Sequence, residues 1–300
     1  MKETTRGHLA ALFCMIVWAL TFVSTKVLLR SFTAGEVTVL RSAIAYVTLI
    51  ILSPKPVRTA SFGEELPYIL GGAFGVAGYF ILQNVGLAYT TATNSSIILN
   101  TAPLFIVLLT WLVLKDKSGI HVFFFIGFIM AITGISLMTV GGGGDTLSIG
   151  GGGHLFGDAL TVGAALMWGL YTIAVQRVNS GDIPVLRTTR RICFWGLVCL
   201  IPFVAITGFK PSPAALVQPV NLINLLFLGV FASAFCFITW NYAVRALGPV
   251  KSSIYIYGQP LVSVVASFFV LNEKMTGRIA AGIALTFAGV LISGRRPRRA

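Results

Sequence analysis

Two tryptophans, Trp18 and Trp168, stand in the middle of long apolar runs, away from the membrane–water interfaces where tryptophan ordinarily anchors. An indole buried there still carries an N–H that wants an acceptor, so the pair suits the wall of a cavity for an amphipathic solute. Thr21 and Tyr171 follow at i+3 and would add hydroxyls to the same helix faces. Asn100, Tyr257 and Gln259 precede Pro103 and Pro260, and each proline removes a backbone hydrogen bond and loosens the carbonyl one turn earlier. In lipid, freed groups of that kind persist only when buried in protein or lining a wet cavity. Asn84 and Asn241 are amides inside further apolar runs; they read equally as solute contacts and as hydrogen bonds between helices. The bland alternatives are packing wedges for the tryptophans and satisfied kinks for the prolines. This set of side chains binds; it does not catalyse.

The carboxylates reinforce that reading. Glu36, Asp116, Asp158 and Glu273 fall near the ends of apolar runs, and the other acids lie in loops or tails. A proton relay through a midplane acid is therefore not expected, leaving exchange or facilitated diffusion, or a coupling with no sequence signature. An intramembrane hydrolase would need a convergent nucleophile or acid–base set, which is missing too, so the chain reads as a non-enzyme. His8, His121 and His154 are scattered over run ends, and no metal or cofactor is implied. The cysteines Cys14, Cys193, Cys199 and Cys236 lie within apolar segments, where they serve as small hydrophobes.

The elements that must position these residues are membrane helices. Hydrophobic residues make up 56% of 300 positions and charged residues 10%, whereas a soluble domain carries about 25% charged residues. The apolar blocks run to about twenty residues, the length that crosses roughly 30 Å of hydrocarbon. They predict spans near 8–29, 35–53, 67–89, 93–114, 119–140, 155–178, 184–207, 221–245, 249–271 and 276–293. The first run lacks a small-residue cleavage site and exceeds signal-peptide length, so it counts as a helix. A glycine-rich stretch, 141–154, separates two halves, 1–140 and 155–300. The net charge of +13 comes from basic residues at the ends of apolar blocks. That pattern fits membrane topology and anionic headgroups rather than nucleic acid. With the N-terminus in the cytoplasm, sixteen Lys and Arg fall on inner segments and six on outer ones, which favours both termini inside.

The halves repeat. Trp18 aligns with Trp168 at an offset of 150, carrying Gly7 onto Gly157, Leu20 onto Leu170 and Arg41 onto Arg191. At an offset of 157, Gly72 meets Gly229, Phe80 meets Phe237, and Asn84 meets Asn241. Ser95-Ser96-Ile97 then meets Ser252-Ser253-Ile254, Pro103-Leu104 meets Pro260-Leu261, and Asp116-Lys117 meets Glu273-Lys274. Five spans per half is odd, so the second half enters the bilayer from the opposite side. The expected fold is an all-α integral membrane protein of ten transmembrane helices in two inverted five-helix repeats. Halves so related can rock about a midplane site.

In these residues the chain resembles the drug/metabolite transporter superfamily, in particular its EamA-type 5+5 exporters. The resemblance rests on Trp18 and Trp168, Leu40-Arg41, and Ala92-Thr93-Asn94-Ser95-Ser96 leading to Pro103. Gly248-Pro249-Val250-Lys251-Ser252-Ser253 leading to Pro260 matches as well, as do the acidic turns before the glycine-studded last spans. It implies export of small metabolites such as amino acids or their toxic analogues across the plasma membrane, without naming one. The alternative is a membrane channel or scaffold without alternating access. A channel would need a continuous polar stripe, whereas the polar residues here cluster mid-span. The expected partners are a small-molecule substrate and membrane lipids, with the chain a monomer or homodimer. Inversion also predicts gates between the halves: Arg41 with Glu273 outside, and Arg191 with Asp116 inside. The competing reading has the arginines reaching headgroups and the acids capping helices.

Overall fold

The computed structural model of the protein describes residues 3–57, 59–89, 95, 98–116, 121–141, 152–179, 183–259, 262 and 277–293. Glu273, Pro260, Lys117, the Ala92–Asn94 stretch and most of the glycine-rich segment lie outside these residues. Every element among the described residues is helical. The main ones are α1 Glu3–Leu28, α2 Ala34–Leu52, α3 Phe62–Tyr89, α4 Ala102–Leu114 and α5 Val122–Gly141, then α6 Gly152–Val178, α7 Val185–Thr207 and, after a single helical turn at Pro213–Val217, α8 Pro219–Leu247. The short α9 Pro249–Ser253 passes into a 3₁₀ turn, Ile254–Gly258, and α10 covers Gly277–Ser293. Among the described residues six helices (α1, α2, α3, α6, α7 and α8) are long and apolar enough to cross a bilayer, and α4, α5 and α10 add shorter apolar segments. The chain is a multi-pass membrane protein by this pattern.

The helix ends follow local chemistry. Thr33 caps α2: its hydroxyl accepts from the Glu36 amide at 3.2 Å, while the Thr33 amide donates to the Glu36 carboxylate at 2.8 Å. Ser61 accepts from the Glu64 amide and starts α3 at Phe62, five residues before the expected 67. That earlier start brings Glu65 into the helix. Gly248, with φ +82°, ends α8 and lets Pro249 begin α9 at once. Helices α5 and α6 run into the expected linker from both sides, to Gly141 and from Gly152.

The bundle is apolar outside and partly polar inside. Ile51, Leu155, Ile206 and Val217 stand well exposed on its perimeter, while Thr38, Asn84, Thr189 and Asn241 are buried in it. Lipid accepts the first set, and the second must pair internally. Glycines set the close approaches. A Cβ at Gly127 or Gly134 of α5 would collide with the backbone of α10 at Gly289 or Gly282.

Contacts recur between the halves with constant offsets. The Asn84 side chain donates to Thr38 at 2.8 Å, and that of Asn241 donates to Thr189 at 2.8 Å. The offsets are 241 − 84 = 157 and 189 − 38 = 151. Gly229 packs on Ile44 and the Arg41 carbonyl; Gly72 packs on Trp195 and the Ile192 carbonyl, at the same two offsets. A π-helical turn interrupts α3 at Ala73–Gly78 and α8 at Phe227–Phe235. Such turns leave carbonyls differently aimed from those of an α-helix.

Candidate functional site

Helices α1 and α6 bring Trp18 and Trp168 together edge to face, with ring centroids 5.0 Å apart. Trp240 of α8 lies 5.2 Å from Trp18 and 5.7 Å from Trp168, and Tyr79 of α3 lies 4.9 Å from Trp168. Edge-to-face and tilted arrangements at these spacings match the ring quadrupoles and add to the burial term. Trp240 is 1% exposed, so it sits in the bundle interior and not at a membrane interface. The π-turn in α8 sets the face that the following residues present, and Trp240 lies one turn beyond Phe237 on it.

Beside this cluster is a narrow cavity of about 20 Å³, bounded by Trp18, Thr21, Trp168, Gln259, Gln83 and Arg41. An adjoining lobe of similar size shares Trp18, Trp168, Gln259 and Tyr79. Trp18 donates its indole N–H to the Ala232 carbonyl, in the π-turn of α8, at 3.0 Å. Thr21 donates to the Trp18 carbonyl at 2.7 Å, within its own helix.

The remaining expected residues divide. Tyr171 is fully buried behind Trp168 and donates to the Asn241 side-chain oxygen at 2.6 Å. Asn241 also donates to Thr189, and its backbone carbonyl accepts from Asn179 at 3.0 Å. Asn84 is held by Thr38. These three side chains make hydrogen bonds between helices, and none borders the cavity. Asn100 and Tyr257 are fully buried and also lie off its wall. Tyr257 packs toward Phe128 at 6.3 Å.

Arg41, expected near the outer end of its span opposite Glu273, is 2% exposed and lines the cavity; the expected pairing itself lies outside the described residues, since Glu273 does. The Arg41 Nε donates to Ser233 at 3.1 Å and its guanidinium carbon lies 4.0 Å over the Phe80 ring. Arg191 does not take Asp116 as its acid. Its Nε donates to Glu65 at 2.6 Å, and the same carboxylate oxygen accepts from the Trp195 indole. Arg190 reaches the Ser53 carbonyl at 2.6 Å. The reason is register. The recurring contacts relate α2 to α7 by 151, so Arg41 corresponds to Ile192, and Arg191 points about 100° further round its helix.

Arg41, Gln83 and Tyr79 were missed as cavity residues. An arginine within an apolar span is itself a signal for a functional position, and the sequence assigns Arg41 to a gate rather than to the cavity wall. Glu65 was missed because the expected third span began two residues after it.

The sequence profile of the EamA-like transporter family matches residues 5–140 and 155–295. The chain belongs to the EamA-like transporter family. It is 27% identical over 291 residues to an uncharacterized transporter of Archaeoglobus fulgidus, covering 96% of this chain and 97% of that one. It is 28% identical over 291 residues to a probable terminal-alkyne amino-acid exporter of Streptantibioticus cattleyicolor, covering 96% and 93%. A solved crystal structure superposes with a TM-score of 0.75 at 16% identity, covering 97% of this chain and 96% of that one. It shares the fold. The family and these named relatives make the chain a membrane transporter.

Proposed function

We propose that this protein is a secondary transporter of the plasma membrane that exports a small polar or amphipathic metabolite, of the amino-acid class or related to it. The observation that carries this reading is the cavity between Trp18 of α1 and Trp168 of α6, one tryptophan from each half of the chain. Its wall combines rings for an apolar body with Thr21, Gln83, Gln259 and Arg41 for polar groups, the composition of a small-molecule site. The amino-acid exporter among its relatives supports the substrate class.

Transport proceeds by alternating access between two inverted five-helix repeats, 1–140 and 155–300, which together provide ten spans with both termini cytoplasmic. The recurring clasps Asn84–Thr38 and Asn241–Thr189, and the paired π-turns, support that arrangement. They tie the second and third spans of each half into a unit that moves as one body. On the face bearing Glu65 and Arg191, the cross-half ion pair holds the halves together.

Counterflow in proteoliposomes tests the proposal. Vesicles loaded with an unlabelled substrate, first found by screening an overexpressing strain against toxic amino-acid analogues, should accumulate external label transiently. Trp168→Ala should abolish that overshoot while remaining in the membrane fraction. A channel would equilibrate label without an overshoot, and unchanged counterflow in Trp168→Ala would remove the cavity from the pathway.

A further inference from the structure

Arg41 is the least explained charge in the bundle. Its guanidinium offers five N–H donors, of which Nε is used on Ser233. Phe80 covers one face of the group. Arg191 is paired with Glu65, whereas among the described residues no carboxylate is seen within ion-pair distance of Arg41. Glu36, the acid nearest in its own helix, is engaged by the Thr33 and Lys210 amides. A desolvated cation without a counter-charge is costly to maintain. A purely structural arginine in this fold has an alternative, since Arg191 has Glu65. Arg41 instead faces the cavity.

A second donor lies in the same wall. Trp168 is 5% exposed and lines both lobes, yet among the described residues its indole N–H finds no hydrogen-bond partner. Trp18 gives its N–H to Ala232, and the offset of 157 makes Gly75 the corresponding acceptor for Trp168. The Tyr171 ring lies against Gly75, and Trp168 makes no such bond. The two tryptophans are thus inequivalent: one is committed to the backbone, and the other carries an unused donor beside the cavity.

We propose that Arg41 and Trp168 form an anion subsite, and that the transported solute carries a carboxylate which docks there with its apolar body among the rings of Trp18, Tyr79 and Phe237. A planar guanidinium fork matches a planar carboxylate in two parallel charge-assisted hydrogen bonds. Gln83 and Gln259 supply amides for a further polar group. The proposal names the substrate class for the transport reading above and rests on that reading.

The test uses the purified full chain in detergent with benzoate, its neutral isostere benzamide, and chloride, each titrated against thermal unfolding. Benzoate should stabilise saturably, with benzamide at least about tenfold weaker, the scale of a hydrogen bond to a charged group. Arg41→Gln should weaken benzoate about tenfold or more while benzamide is unchanged, which also shows that the variant is folded. Arg41→Lys should fall between, keeping the charge without the fork. Equal responses to benzoate and benzamide, no saturable response to benzoate, or a chloride shift equal to that of benzoate would each overturn the proposal. Arg41-dependent benzoate binding without counterflow of any solute would instead overturn the transport reading and leave the subsite standing. Counterflow of carboxylate solutes unaffected by Arg41→Gln would do the reverse.

Discussion

Glu65→Gln isolates the contact that joins the halves on one face. The carboxylate takes Arg191 Nε at 2.6 Å, the Trp195 indole on the same oxygen, and the Thr59 hydroxyl at 2.5 Å on the other. The amide keeps the shape and one acceptor oxygen but removes the charge and turns one acceptor into a donor. Arg191 and Glu65 side chains are 28% and 10% exposed, so solvent screens the pair in part, and the full interior Coulomb energy does not apply. A hydrogen bond to a charged group contributes about 1.5–3 kcal/mol. Taking about 2 kcal/mol, the equilibrium between the closed and open forms of this face moves by about 30-fold. The assay is maleimide labelling of a cysteine placed at Gln83, in a background with Cys14, Cys193, Cys199 and Cys236 replaced. Labelling from the side that carries Glu65, cytoplasmic in the proposed topology, should rise toward that factor, and labelling from the opposite side should fall. Arg191→Gln should reproduce the effect. Identical labelling of Glu65→Gln and wild type from both sides would refute the idea that this pair holds the face shut.

Three further outcomes follow from the packing. Asn241→Ala removes the acceptor of Tyr171 and the donor to Thr189; two interhelical hydrogen bonds in a membrane bundle predict a loss of about 1–2 kcal/mol, read by denaturation in mixed micelles, with Tyr171→Phe recovering part of it in the double variant. Gly134→Leu must displace the α10 backbone at Gly282, so it should cost about 1–3 kcal/mol or more and lower the folded yield in fluorescence-detected size exclusion, while Gly277→Ala, with open space around it, should not. Asp116→Asn and Asp158→Asn should retain counterflow driven by a substrate gradient, measured in proteoliposomes, because neither borders the cavity.

Much of this architecture is legible in the residues alone, because bilayer thickness converts apolar run length into helices. The runs ending at Leu28, Leu52, Tyr89, Val178, Thr207 and Leu247 appear as helices within a few residues of expectation. Trp18 and Trp168 were identifiable because an indole in mid-span is chemically conspicuous, and they do meet. Asn84 and Asn241 were legible as residues needing partners but not as to which partners, since a buried amide states a demand without naming its supplier. Thr38 and Thr189 answer it.

What only the tertiary structure decided is angular. One residue along a helix turns a side chain by about 100°, so a register of 151 rather than 150 separates Arg41, directed into the cavity, from Arg191, directed to Glu65. Sequence similarity weighs the two offsets by matching letters and prefers to pair arginine with arginine. Packing weighs them by the close approach of Gly229 to Ile44 and of Gly72 to Trp195, where no Cβ can be accommodated. The apolar pattern thus determined that this chain lives in a bilayer as a helical repeat. The glycine contacts determined which of its charges faces the space where a solute would sit.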